Sequence, residues 1–181
     1  MEHRADVFSI PDVVDPREDN LHQGDERATL AEFLRFQRQT LEMKCAGLTA
    51  EQLATRSVPP STMSLLGLVR HLAHVERMWF KVRFDGQDLP RLYQTAEDPD
   101  GDFNGAVADQ AVVDEAWESW RAEVAFAEKW VEEHPLDFVA ELGDDARLSL
   151  RELLVHMVEE YARHNGHADL LRECIDGRLG Q

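Results

Sequence analysis

Glu160 and His164 stand four residues apart in the stretch HMVEEYARHNGHADLL, His156 to Leu171. On a helix that spacing places a carboxylate and an imidazole one turn apart on the same face, where both can hold one cation. Two ligands make half a site. A catalytic zinc-type centre takes three protein ligands and keeps a further position for water or substrate, so another element must add a nitrogen or oxygen. The stretch RHLAHVERMW offers His71, at the edge of its apolar stripe, and His74, further round. His156 and His167 lie one turn before Glu160 and one turn after His164, so spacing alone leaves the ligand set open. It also leaves the ordinary readings open: a hydrogen-bonded core histidine, a glutamate paired with a nearby arginine, and Gly166 serving a close approach of two helices.

The elements that must position these groups are helical. Leu30, Phe33, Leu34, Leu41 and Cys45 recur at helical spacing between Asp25 and Ala46, with Gly47 as a stop. Thr49 and Gln52 form a capping box for a short turn that SVPP ends. The spacing of Leu65, Leu68, Leu72, Val75, Trp79 and Val82 predicts a second long helix, from Ser61–Ser64 to about Phe84. A third follows from about Ala111 to Glu133 on Val113, Trp117, Trp120, Val124, Ala127 and Val131. The fourth opens at a capping box of Ser149 and Glu152, stapled by Leu148 and Leu153, and ends at Gly177. Its seam is Leu150, Leu154, Met157, Tyr161, His164, Ala168, Leu171 and Ile175, steps of four and three that suit a bundle interface. No stretch alternates long enough for a strand and no repeat is visible. The expected fold is therefore an all-α four-helix bundle over residues 25–177, preceded by an irregular arm over 1–24.

The connection from Asp85 to Gln110 is long for a compact domain and rich in Asp, Gly and Pro, as a functional lid or a loosely ordered segment would be. Within it DGDFNG, Asp100 to Gly105, matches the first half of a calcium loop. The twelfth position is Ala111, where the bidentate glutamate belongs, and no helix leads in, so the run reads as a plain acidic turn.

Composition narrows the class of function. With 36 acidic against 19 basic residues the formal charge is -17, which repels nucleic acid and anionic membrane surfaces and keeps a protein soluble. No secretory signal opens the chain and no segment has the apolar length to span a bilayer. Two cysteines, Cys45 and Cys174, make no disulfide framework, which fits a reducing cytoplasm; each reads as a small hydrophobe rather than a nucleophile.

The segments SLLGLVRHLAHVERMWF, HMVEEYARHNGHADLLRECIDG and GDERATLAEFLRFQRQTLEMKCAGL resemble the DinB-like superfamily, in particular its actinobacterial branch of mini-circle proteins, from about Asp25 to Gly177. That resemblance implies up-down-down-up topology, with the Asp85 to Gln110 segment as the long middle crossover. It also implies a metal triad of one histidine from the second helix and an i, i+4 pair from the fourth. His71, Glu160 and His164 take those positions here. Many relatives have three histidines, whereas the set with a central glutamate is similar to that holding zinc in the mycothiol-dependent maleylpyruvate isomerase. Asn165 and His167 fall beside the ligands, as cofactor-binding or substrate-facing groups, His167 at a position often occupied by glutamine. Imidazole and carboxylate suit zinc, with nickel and iron admissible. The function implied is a metal-dependent thiol transferase or thiol-assisted isomerase that joins mycothiol, or a similar small thiol, to a small electrophile; relatives commonly form homodimers. The isomerase carries a second domain that this sequence lacks, so its substrate does not carry across. The alternatives are a metal-dependent hydrolase and a non-catalytic metal-binding bundle that acts through partners.

Overall fold

The computed structural model describes residues 15, 17, 24–143 and 146–179; the expected arm over 1–24 lies almost wholly outside them. Four long helices form the bundle: α1 (Glu26–Cys45), α3 (Leu65–Glu76, running on as a π-helix over Arg77–Phe84), α5 (Gln110–Glu133) and α6 (Leu150–Asp176). The short helices α2 (Ala50–Ala54) and α4 (Gly101–Asn104) interrupt the connections. Start signals act as the sequence implies. Asp25 caps α1, Ser64 caps α3, and both capping boxes, Thr49 with Gln52 and Ser149 with Glu152, make their two reciprocal bonds. Gly177, at φ 80°, ends α6 in the left-handed conformation that glycine adopts without steric cost.

Side-chain contacts fix the helix directions. Glu26 meets Arg151, Gln37 meets Asn165 and Lys44 meets Asp169, so α1 and α6 run parallel. Arg70 faces Glu115, Arg77 binds Glu123, and Asp85 accepts from the Trp130 indole, so α3 and α5 also run parallel. His71 meets His164 and Trp79 meets His156, which sets α3 antiparallel to α6. The order is up, down, down, up, with the crossover between α3 and α5. No described helix is long and apolar enough to cross a membrane.

The expected seam of α6 is core: Leu150, Leu154, Met157, Tyr161, Ala168 and Leu171 are buried. Three expectations need correction. Phe33, placed on the apolar stripe of α1, is exposed, while Leu34, Leu41 and Cys45 of that stripe are buried in the core. Residues Val139–Glu141 (β1) and Arg147–Ser149 (β2) pair antiparallel, although no strand was expected; three residues are too few to show a period of two. The third correction is the π turn. Glu76, Phe80 and Phe84 are buried there, while Val75, Trp79 and Val82 lie half-buried at the margin of the core.

One polar network lies inside the bundle and touches all four long helices. The Arg38 guanidinium donates two parallel bonds of 2.8 Å to the Glu76 carboxylate. Tyr161 Oη donates to Glu76 Oε1 at 2.8 Å and accepts from the Trp120 indole at 2.9 Å. Glu76 is fully buried and depends on Arg38, itself only 5 % exposed, for compensation; Arg38 has a second, longer pair to Glu128 Oε1 at 3.6 Å. The network joins α3, five residues beyond His71, to α6 at the neighbour of Glu160.

Candidate metal centre

Because α3 and α6 run antiparallel at contact distance, an imidazole from one meets the i, i+4 pair of the other. His71, Glu160 and His164 each offer a ligand atom, and these atoms lie within 4.8 Å of one another. The His71 and His164 rings meet edge to face at 4.8 Å. His164 Nε2 is 3.5 Å from Glu160 Oε2.

Each imidazole is engaged on its far side. His71 Nδ1 lies 2.9 Å from Asp102 Oδ2, which makes Nδ1 the donor and leaves the Nε2 lone pair free. His164 Nδ1 lies 3.4 Å from His167 Nδ1, so Nε2 turns to Glu160. Burial holds the His164 imidazole far below its usual pKa, at about 4, with the nearby His71, His167 and Arg163 acting in the same direction. A neutral imidazole is the form that ligates a metal. Two histidines and one carboxylate, half-buried and poised with free lone pairs, therefore fit a divalent ion.

The remaining candidates separate. His74 is turned to the crossover, where the Leu92 N–H points at its Nδ1 at 3.4 Å; burial, then Arg91, push its pKa down to about 4. His156 borders the centre, its Nε2 3.7 Å from Glu160 Oε1, and its ring packs on Trp79 at 4.8 Å. The π turn puts Trp79 there, and the Arg83 guanidinium covers it at 4.2 Å. His167 is brought to the triad through His164. Asn165 is not: its amide donates to Gln37 O at 3.0 Å and Gln37 Oε1 at 2.8 Å, tying α6 to α1. Gly166 serves no close helix approach, since a Cβ there would meet nothing within 4 Å.

Sequence reasoning missed Asp102. The DGDFNG run that resembles a calcium loop folds as α4, and its middle acid turns inward to His71 instead of presenting alternate oxygens to an ion. The crossover is held down on α3 by Arg70, which donates to Asp102 O at 2.9 Å and Gly101 O at 3.2 Å and lies 3.8 Å from the Tyr93 ring. Gly101 is required by this fit: a Cβ would stand 2.2 Å from the Tyr93 carbonyl. The cysteines stay apart from the centre. Cys45 is buried, with its thiol pushed up to about 12, and Cys174 is exposed ten residues beyond His164, about 15 Å along the helix.

Among solved structures the chain is similar to a conserved protein from Enterococcus faecalis, with a TM-score of 0.59 over 86 % of this chain and 99 % of that one. The two are 18 % identical, so the likeness bears on the fold alone. No curated protein matches significantly. A family model described as mycothiol-S-transferase matches residues 29–177, a span that takes in nearly all of the bundle, the crossover and every residue of the candidate centre. The chain thus belongs to the mycothiol-S-transferase family, a DinB-like family.

Proposed function

We propose that the protein transfers a low-molecular-weight thiol, mycothiol in a host that makes it, onto a small electrophile, at a divalent ion held by His71, Glu160 and His164. The observation that carries this reading is the convergence of two neutral-capable imidazoles and one carboxylate, from two helices, within 4.8 Å. The family's name supplies the thiol. An ion bound there supplies a position at which a thiol is held as its thiolate, the reactive nucleophile.

The protein's own residues supply the rest. Glu160 sets a negative charge against the cation, and the α3 and α6 imidazoles present Nε2 in fixed directions. Phe103, stacked on His71 at 5.5 Å, gives the rim apolar area on which an organic electrophile can lie. The sulfur forms its bond to the electrophilic carbon, the leaving group departs with its electron pair, and the thiol proton goes to solvent. Neither cysteine is placed to act as the nucleophile, which is why the thiol is a cosubstrate.

The test is turnover by zinc-loaded protein with thiol and monobromobimane, against bromobimane alone. Thiol-dependent, zinc-dependent conjugation above the uncatalysed rate is the expected result. Equal consumption in water alone assigns the centre to hydrolysis, and no turnover over a broad electrophile panel rejects an enzymatic role.

A further inference from the structure

We infer that Asp102 is a positioning residue for the His71 ligand, and that the crossover carrying it is thereby coupled to metal occupancy. The inference deepens the metal-centred reading above and rests on it. Asp102 is 1 % exposed, yet among the described residues the one ionisable partner of its carboxylate within 4 Å is His71. Oδ2 receives His71 Nδ1 at 2.9 Å and Gln94 Nε2 at 3.2 Å, and Oδ1 receives the Phe103 N–H at 3.1 Å. A divalent ion held by His71, Glu160 and His164 would polarise the Nδ1–H that Asp102 accepts.

The geometry also limits what His71 can do. With Nδ1 fixed as donor, the ring offers Nε2 alone, facing Glu160 and His164. Carboxylates that receive the far N–H of a ligating imidazole fix its tautomer and rotation and raise its basicity, and their loss weakens metal binding about 10–100-fold. Here that carboxylate belongs to a different element from any ligand. It is carried on α4, and α4 is held to α3 by Arg70 and by the Gly101 fit against Tyr93. Metal binding that strengthens the His71–Asp102 bond must hold the crossover down, and a docked crossover must tighten metal binding by the same factor.

The test measures zinc affinity of the full-length protein by competition with a chromophoric chelator, for wild type, Asp102→Asn and Asp102→Ala. Wild type is expected to bind most tightly and Asp102→Ala about 10–100-fold more weakly. Asp102→Asn falls between, because its amide oxygen still accepts from Nδ1–H but brings no charge. Hydrogen exchange on the same proteins should show zinc slowing the amides of Gly101–Asn104 in wild type and not in Asp102→Ala. A purely structural aspartate would lower thermal stability of the apoprotein without altering the chelator competition. Equal zinc affinity across the three proteins overturns the inference. If Asp102→Ala fails to fold, Asp102→Asn decides alone, since it preserves shape. Wild type that binds no divalent ion overturns this inference and the proposed function together. Zinc binding that depends on Asp102 without thiol-dependent turnover removes the proposed activity and leaves this coupling standing.

Discussion

Replacing Arg38 by methionine tests the polar network that links α3 to α6. The substitution keeps an unbranched apolar stem and removes the guanidinium. Glu76, at 0 % exposure, is then left with the Tyr161 hydroxyl as its hydrogen-bond donor. Removing one partner of a buried, doubly bonded pair costs about 3–5 kcal/mol, chiefly the uncompensated charge left behind. At roughly 2–4 °C per kcal/mol for a chain of this size, the thermal midpoint should fall by about 6–20 °C. The double variant Arg38→Met/Glu76→Leu removes both charges and should recover most of the loss. It stays short of wild type by about 1 kcal/mol, because Tyr161 keeps its Trp120 bond but its own proton loses its acceptor. Urea unfolding of the apoproteins at neutral pH, followed by helical circular dichroism, gives the free energies. A cost below about 1 kcal/mol for the single variant, or a double variant no better than the single one, would refute the view that this pair clamps the bundle through mutual compensation.

Three further outcomes follow from the same geometry. His164→Ala should abolish stoichiometric zinc in elemental analysis after passage over a chelator, and Glu160→Gln should weaken binding by removing a charge; full retention by His164→Ala would transfer the ligand role to His156 or His167. Gly166→Ala should stabilise α6 by about 0.5–1 kcal/mol in urea unfolding, since the new methyl meets nothing within 4 Å and glycine is costly in a helix interior. His74 has a folded pKa near 4 against an ordinary 6.5, so the unfolded chain takes up its proton first. Stability of the apoprotein should therefore hold above about pH 6.5 and fall as pH drops from there toward 4. His74→Phe should flatten that part of a pH series of unfolding curves, and an unchanged slope would contradict the buried neutral form.

The long helices were legible because burial on one side of a helix imposes a period on the sequence, and the caps that close them are local in the chain. Ser149 with Glu152, and Gly177, set α6 to the residue. The π turn was not legible, because a stripe stepping by threes and fours, Leu72, Val75, Trp79 and Val82, is what an ordinary helix would bury. The burial of Glu76, Phe80 and Phe84 along the wider coil leaves no sign in that stripe. The pairing of Glu160 with His164 was legible for the same reason as the helices, since four residues return to the same face. Asn165 shows the limit of proximity in sequence: about 100° of rotation from His164 carries its amide round to Gln37 on α1.

What spacing could not supply was the contact between His71 and Asp102, which spans 31 residues and depends on how the crossover lies on α3. The acidic run was visible, and so was its glycine, but their meaning depended on direction. Oxygens arranged around an ion within one loop would have made a self-contained calcium site. A single inward carboxylate, on a short helix pinned by Arg70, instead works on a neighbour's imidazole. The two antiparallel helices α3 and α6 thus bring His71 to Glu160 and His164, the Arg38–Glu76–Tyr161 network ties the same two helices together, and the crossover sets Asp102 against Nδ1 of His71. Each of these depends on a different stretch of chain, so the centre is a property of the folded bundle and not of any one motif.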